Sequence, residues 1–206
     1  KVVYNYPRLQ DVPRNQSLHS ALNLPEDRFL LLYQGMLAPG RGIGFMLEVL
    51  KQLEPKYALV LIGDGPLFPE LRKQAESPEW KGKLFVMGRV PHQKLLEYTA
   101  SAGIGLTLIE GITLSYFAAL PNKLFEYIMC LTPPLASDLP AMKKVIDRHG
   151  AGWTVKFGDA PGAVQAIEDI RRHLPEHQKS CAKARLKLNW QEQEPEILKI
   201  FNSRQA

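Results

Sequence analysis

The most restrictive feature of this 206-residue sequence is a regular alternation between short apolar runs and longer segments with helical periodicity. The apolar runs have the length of β-strands and are bounded by glycine, proline and polar residues, whereas the intervening segments repeat apolar residues every three or four positions. Strands are predicted at residues 29–33, 58–62, 84–87, 104–109, 134–136 and 153–155. Helices are predicted at residues 45–53, 67–75, 95–102, 122–130 and 141–146.

The strand runs are apolar throughout and do not alternate with polar residues, which indicates that both faces of the sheet are covered. The sequence therefore predicts an α/β fold with a doubly wound, parallel, six-stranded sheet flanked by helices. We assign this domain to residues 1–170. Residues 171–206 have helical patterns with breaks at Pro175 and Asn189, and we expect them to pack outside the sheet.

Composition places the chain among folded, water-soluble proteins. The hydrophobic fraction is 45%, and no apolar run approaches the roughly 20 residues that cross a bilayer. The sequence begins without methionine, as a fragment would, and without the pattern of a signal peptide. Cys130 and Cys181 match no metal-site spacing, so we interpret them as reduced packing residues in the cytoplasm, with a disulfide as the alternative.

The net charge is +5, and basic residues gather near the C-terminus. Such a cluster could contact anionic lipid at the inner face of a membrane, but it lacks the interleaved aromatic residues that stack on nucleic-acid bases. A solvated helix face is the alternative, and no nucleic-acid partner is expected. The basic residues of this C-terminal cluster are Arg171, Arg172, Lys179, Lys183, Arg185 and Lys187. The five histidines of the sequence fall at no metal-ligand spacing and are interpreted as surface residues.

The segment from Pro121 to Glu126 carries the strongest functional signal. Pro121 suits the start of a helix, where the first backbone N–H groups point outward and favour an anion. Asn122 and Lys123 add polar and positive groups to that tip, and the carboxylate of Glu126, one turn further on, could accept hydrogen bonds from two sugar hydroxyls. The alternative is an ordinary amphipathic helix with an exposed Lys123–Glu126 pair.

Glycine-rich turns follow three of the predicted strands. Arg41, in a loop with several glycines, could reach diphosphate oxygens, or it could be an ordinary surface arginine. The backbone at residues 88–90 could meet the edge of a base, or it could be a plain turn. The glycine spacing of a dinucleotide site fails, because phenylalanine occupies the third position at Phe45 and Phe68. Asp-x-Asp and Walker motifs are missing from the sequence, which argues against a carboxylate-bound divalent metal and against a nucleoside triphosphatase.

Taken in order, these motifs resemble the C-terminal domain of group 1 glycosyltransferases with the GT-B architecture, over roughly residues 2–170. Each motif is weak alone, whereas the ordered set is specific. The motifs are Gly35 with Arg41-Gly42, Ile62-Gly63-Asp64-Gly65-Pro66, Gly88-Arg89-Val90, Pro121-Asn122-Lys123-Leu124-Phe125-Glu126-Tyr127 and Pro134-Leu135-Ala136-Ser137.

The resemblance implies a Rossmann-like domain that binds a nucleotide-diphosphate sugar, in a retaining, metal-independent transferase of polysaccharide biosynthesis that needs no cofactor. An N-terminal half that this sequence lacks would hold the glycan or lipid-linked acceptor, so the chain alone should bind nucleotide and turn over little. Arg41 and Lys123 are assigned to stabilisation of the leaving diphosphate. The implied substrate-binding residues are Gly35, Arg41, Gly63, Gly65, Gly88, Arg89, Val90, Pro121, Asn122, Lys123, Leu124 and Glu126.

Two positions depart from the family pattern. Met36 stands where an arginine is common, so one positive charge is missing, and Lys123 is expected to compensate. Ala118 occupies the first position of the Glu-x7-Glu pattern, where an acid usually contacts the donor sugar. Two other functions therefore stay open: a nucleotide-sugar epimerase of similar architecture and a non-catalytic nucleotide-sugar binding module.

Overall fold

The computed structural model describes residues 3–111 and 118–202. Its centre is a six-stranded sheet in the order β3-β2-β1-β4-β5-β6, and all neighbouring strands are parallel. This confirms the predicted doubly wound sheet, although β4 ends two residues earlier than expected. The strands are β1 (Phe29–Gln34), β2 (Tyr57–Ile62), β3 (Leu84–Met87), β4 (Ile104–Thr107), β5 (Pro134–Ser137) and β6 (Trp153–Val155).

Helices follow the strands and continue to the end of the described chain. The structure adds α1 and α7, which the sequence patterns did not predict, and the 170/171 boundary falls in the last turn of α7. Pro175 lies in the first turn of α8, and Asn189 directly precedes α9, as expected for breaks. The helices are α1 (Ser17–Leu22), α2 (Ile43–Gln52), α3 (Phe68–Ala75), α4 (His92–Ser101), α5 (Asn122–Met129), α6 (Pro140–His149), α7 (Ala160–Arg172), α8 (Leu174–Arg185) and α9 (Trp190–Asn202).

The central strands bury side chains on both faces, which explains their uniformly apolar sequences. In β1, Leu31 and Tyr33 join the core layer that contains α2 and α7, whereas Leu30 and Leu32 join the layer that contains residues of α1 and α4. All six residues of β2 are buried and divide between the two layers in the same alternation. Because neither face meets water, a strand with period-two polarity would not be stable here.

The sheet has a switch point between β1 and β4, where the order of successive strands reverses direction. β1 pairs with β2 over six positions but with β4 over two, Leu31 with Ile104 and Leu32 with Gly105. Tyr127 of α5 lies over Gly105, where a Cβ atom would come within 2.3 Å of the tyrosine ring. In doubly wound sheets, ligands bind at the carboxyl ends of the strands beside this point.

Two interpretations of single residues can be compared with the structure. Cys130 and Cys181 are free and buried, and burial raises the pKa of both thiols to about 12. The interpretation of His19 as a surface residue is wrong, because its ring is buried between Ser101 Oγ and the Arg28 carbonyl. Within the described residues, no helix is long and apolar enough to span a bilayer.

Candidate functional site

The start of α5 brings a lysine to the carboxyl end of β1. Pro121 caps the helix in an extended conformation, and Lys123 reaches back so that its Nζ lies 3.6 Å from the centre of the Tyr33 ring. The same Nζ is so close to Gly35 that a Cβ atom there would lie 3.3 Å away. The alternative of an exposed Lys123–Glu126 pair is therefore wrong, since the ammonium group is directed into the sheet edge.

This environment changes the ionisation of Lys123. Its pKa is lowered to about 7, chiefly by burial and also by the positive charge of Arg41, while the carboxylate of Glu126 partly opposes the shift. Near neutral pH the amine is consequently divided between its charged and uncharged forms. An anion that arrived at this point would favour the charged form, because it would supply the counter-charge that the buried ammonium lacks.

The carboxylate of Glu126 is held in place by Gln34, the last residue of β1. Gln34 Nε2 donates a hydrogen bond to Glu126 Oε2, and Gln34 Oε1 lies 2.7 Å from the hydroxyl of Thr99 in α4. The backbone N–H of Gln34 donates to the Tyr127 hydroxyl at 3.2 Å. The carboxylate of Glu126 is thus oriented by a hydrogen-bonded series of side chains that runs from the buried Thr99 through the buried Gln34.

Two cavities open beside this site, and α4 contributes residues to both of them, His92 and Leu96 to one and Leu95 to the other. The α5 cavity, of about 350 Å³, is lined by residues that include Asn122, Glu126 and His92. The Gly63 cavity, of about 320 Å³, is lined by residues 35, 36, 62–64, 89, 90 and 95. Their volumes are near the lower end of those of small-molecule sites.

The N-terminal segment, residues 5–10, forms one wall of the α5 cavity. Asn5 Nδ2 donates to Asn122 Oδ1 at 2.9 Å, and the Tyr6 ring meets Phe125 edge-on. The segment is also bonded to α9, since the Trp190 N–H donates to the Pro7 carbonyl at 2.8 Å. The side-chain amides of Gln191 and Gln193 each donate to and accept from backbone groups, at Leu9 and Tyr4 respectively.

The turns after β1 and β2 pack so closely that they require glycine. Gly63 has φ +153°, and a Cβ atom there would lie 1.8 Å from the Gly35 carbonyl oxygen. Gly65 has φ +150°, and a Cβ atom there would lie 2.5 Å from the Leu37 carbonyl oxygen. These glycines let the two backbone turns approach each other, and Gly35 and Gly63 line the Gly63 cavity.

The structure groups most of the predicted site residues at this edge. Gly35 and Lys123 are in contact, Asn122 and Glu126 line the α5 cavity, and Gly35, Gly63, Arg89 and Val90 line the Gly63 cavity. Arg41 is partly buried just before α2, close enough to lower the pKa of Lys123. Gly65 and Gly88 line neither cavity but lie in the turns beside the second one.

Leu124 differs from the other predicted binding residues. Its side chain is fully buried in a cluster with Leu139 and Met142, and its N–H donates to the Pro121 carbonyl at 3.0 Å. The side chain of Leu124 therefore packs in the core, and its part in substrate binding stays a prediction. Gln34 was not among the predicted site residues, although a polar side chain at the end of an otherwise apolar strand was a signal for it.

No metal cluster was found in the part of the chain that the structure describes: no three His, Cys, Asp or Glu side chains there come together as metal ligands. The positive groups beside the two cavities come from the protein itself. They include Arg8 in the wall of the α5 cavity and Arg89 in the wall of the Gly63 cavity, together with Arg41, Lys123 and the N-terminus of α5 nearby. This edge can therefore receive an anionic ligand.

Comparison with known families gives one match over most of the chain. The family model for glycosyl transferases group 1 matches residues 15–187. Among curated proteins, the chain is 25% identical over 134 residues to the putative teichuronic acid biosynthesis glycosyltransferase TuaC of Bacillus subtilis, covering 65% of this chain and 31% of that protein. It is 24% identical over 155 residues to the alpha-D-kanosaminyltransferase of Streptomyces kanamyceticus, covering 70% and 37%.

Solved structures with the same fold include glycosyltransferases. Anabaena Alr3699/HepE in complex with UDP and glucose superposes with a TM-score of 0.80 at 15% identity, covering 98% of this chain and 57% of that one. Sucrose-phosphate synthase from Thermosynechococcus elongatus superposes with a TM-score of 0.74 at 19% identity, covering 96% and 51%. The chain spans about a third of the length of the curated relatives it matches. On the strength of the family match over residues 15–187, this chain belongs to the group 1 glycosyl transferases.

Proposed function

We propose that this chain is the donor-binding part of a retaining, metal-independent glycosyltransferase that needs no cofactor. It binds a nucleotide-diphosphate sugar, and the sugar passes to a glycan or lipid-linked acceptor held by a further part of the protein. The reaction belongs to polysaccharide biosynthesis in the cytoplasm, at the inner face of the membrane. The family match supports glycosyl transfer, and the structure of Alr3699/HepE with UDP supports this class of donor.

One observation carries the proposal: a desolvated lysine, a helix N-terminus and an oriented carboxylate lie together at the switch point of the sheet. Lys123 and the first turn of α5 suit a diphosphate, and Glu126 suits the hydroxyls of a ribose. The Gly63 cavity, beside Arg89 and Val90, is the place that we assign to the base.

The proposed mechanism assigns charge stabilisation to the protein. As the bond between the sugar and the diphosphate breaks, negative charge grows on the departing oxygen, and Arg41, Lys123 and the α5 N-terminus stabilise it. The acceptor hydroxyl attacks the anomeric carbon on the face from which the diphosphate departs, which retains the configuration, and its proton passes to an oxygen of the departing diphosphate. Because transfer requires both substrates in place, the chain alone is expected to bind donor and to transfer little.

The first test is a thermal-shift panel of UDP, GDP and ADP, together with their glucose conjugates. We expect one base to raise the melting temperature in a concentration-dependent manner, because a ligand that binds only the folded state stabilises it. Calorimetry then supplies the dissociation constant. If none of the six compounds stabilises or binds the chain, the proposed function is wrong.

Glu126→Ala should weaken binding of the selected nucleoside diphosphate about tenfold. A hydrogen bond to a charged group contributes roughly 1.5 kcal/mol or more, and about 1.4 kcal/mol corresponds to a factor of ten. The measurement is isothermal titration calorimetry. Glu48→Ala, which removes an exposed carboxylate from α2, is the control and should leave the affinity unchanged. Equal affinities for the wild type and Glu126→Ala would remove Glu126 from the site.

A non-catalytic binding module is the second candidate, and one observation favours it. Ala118, which follows the undescribed residues 112–117, lies exposed in a turn and offers no carboxylate to a donor sugar. Product analysis separates the candidates, including the epimerase. A full-length protein that binds nucleotide sugars but neither transfers nor isomerises the sugar is a module, and one that interconverts nucleotide sugars without an acceptor is an epimerase.

A further inference from the structure

We propose that Gln34 is a positioning residue that orients the carboxylate of Glu126 and thereby gives the site its preference for ribose over 2′-deoxyribose. This inference rests on the proposed function, since it concerns how that site recognises the sugar of the nucleotide. Its evidence, however, is the hydrogen-bond chain Thr99–Gln34–Glu126 and the burial of Gln34.

A glutamine at position 34 would destabilise the protein unless its side-chain amide formed hydrogen bonds. Gln34 is 2% exposed and ends a strand whose other residues are apolar. A buried amide without partners destabilises a protein, and an apolar side chain of similar length would fill the same space. The hydrogen bonds to Thr99 and Glu126 satisfy both ends of the amide, so the polar side chain is explained by what it holds.

The orientation of the amide follows from its neighbours. The Thr99 hydroxyl, fully buried in α4, lies 2.7 Å from Gln34 Oε1 and 2.7 Å from the Leu95 carbonyl, so these two acceptors share its single proton. A hydroxyl can donate to the amide oxygen, whereas a carboxylate can only accept, so the amide nitrogen must face Glu126. The backbone of Gln34 is bonded to the Tyr127 hydroxyl, which fixes the point from which the side chain extends.

The orientation of the Glu126 carboxylate matters because binding two adjacent hydroxyls restricts the position of a carboxylate more than binding one hydroxyl does. Two adjacent ribose hydroxyls must meet lone pairs of the carboxylate at the same time. A glutamate that rotates freely would lose side-chain entropy on binding, whereas one already fixed by Gln34 loses less. The Gln34 bond engages Oε2, and Glu126 lines the α5 cavity. The second hydroxyl, which 2′-deoxyribose lacks, therefore contributes only when the carboxylate is held.

The test takes the nucleoside diphosphate that the thermal-shift panel selects, UDP for example, and compares it with its 2′-deoxy form by calorimetry in the wild type and in Gln34→Met. We expect the wild type to prefer UDP about tenfold. In Gln34→Met, which keeps an unbranched chain of similar length but donates no hydrogen bond, the preference should fall to about twofold. The affinity for 2′-deoxy-UDP should stay within about twofold of the wild type, because the diphosphate contacts are untouched.

Thr99→Val is a second variant that leaves Gln34 itself in place. Valine has nearly the shape of threonine, so the fold is retained, but the amide loses the hydroxyl that orients it. The ribose preference should decline in the same direction as in Gln34→Met, though by less. Thermal melting checks that both variants are folded, and Thr99→Val still tests the proposal if Gln34→Met does not fold.

The outcomes separate this inference from the proposed function. If Glu126→Ala abolishes the preference for UDP but Gln34→Met and Thr99→Val keep it, Gln34 does not position Glu126. A parallel loss of affinity for both nucleotides in Gln34→Met would make Gln34 a merely structural residue and also overturn the proposal. A wild type that binds both nucleotides equally would overturn it while leaving nucleotide binding intact. Failure of every nucleoside diphosphate to bind would refute the proposed function itself.

Discussion

Lys123→Met is expected to weaken binding of UDP-glucose by about 100-fold at pH 6, near the upper end of what one charge-assisted hydrogen bond contributes. The loss should be larger than for Glu126→Ala because both partners are charged and the ammonium is desolvated. Methionine retains much of the apolar stem that packs over Tyr33 and removes the positive charge. Calorimetry of both proteins at pH 6 measures the difference.

The pH dependence of the wild type should reveal the same residue. Since the pKa of Lys123 is lowered to about 7, most molecules carry the charged amine at pH 6 and about a tenth do so at pH 8. If binding needs the charged form, the apparent affinity for UDP-glucose should fall about tenfold as pH rises from 6 to 8. UDP-glucose suits this test because its phosphates have no free terminal group with a pKa near 6.

The matched control is Lys144→Met, which removes an exposed lysine from α6 and should change neither the affinity nor its pH dependence. In Lys123→Met the pH dependence between 6 and 8 should disappear. An unchanged pH profile in Lys123→Met would show that another group titrates. An unchanged affinity at pH 6 would remove Lys123 from the diphosphate site and leave the α5 N-terminus without its charged partner.

Gly63→Ala should destabilise the protein by about 4 kcal/mol. The glycine has a positive φ, and the added Cβ atom would lie 1.8 Å from the Gly35 carbonyl oxygen, which belongs to backbone that cannot rotate away. Backbone strain and overpacking each cost about 1–3 kcal/mol, and here they act together. For a chain of this length the melting temperature should fall by about 8–16 °C.

Gly44→Ala is the control for Gly63→Ala. Gly44 lies in the first turn of α2, is exposed, and would place a Cβ atom in open space. Alanine there should stabilise the protein by up to about 1 kcal/mol, because glycine is a poor helix former. Differential scanning calorimetry of both variants gives the comparison. A Gly63→Ala protein that melts with the wild type would mean that the two turns separate without cost.

The sequence was sufficient for the sheet because the physical cause of its pattern is local. A strand buried on both faces must be apolar at every position, and β1 and β2 are recognisable for that reason. The start of α5 was likewise predictable, since Pro121 marks it. α7 was missed because Pro161 and Gly162 stand in its first turn, where they resemble a loop, although Asp159 caps the helix through the Gly162 N–H.

The geometry of the site depended on contacts that no sequence spacing encodes. An i,i+3 spacing of lysine and glutamate fits an exposed pair as well as two side chains held against the edge of the sheet. The choice between them is made by Tyr33 and Gln34, which reach α5 across the edge of the sheet. The burial of Leu124 was foreseeable from its apolar character. Its inclusion among the binding residues was implied by the motif and stays a prediction.

The two walls of the α5 cavity should differ in the free energy needed to displace them. Glu126 and Leu96 belong to helices packed on the sheet, whereas residues 5–10 are joined to the rest largely through exposed hydrogen bonds, including those with Gln191. Segments of the latter kind open at much lower free energy than a core does. We therefore expect a large ligand to be accommodated by an outward movement of the N-terminal segment, residues 5–10. The side chains on the sheet side of the cavity, such as Glu126, should keep their positions.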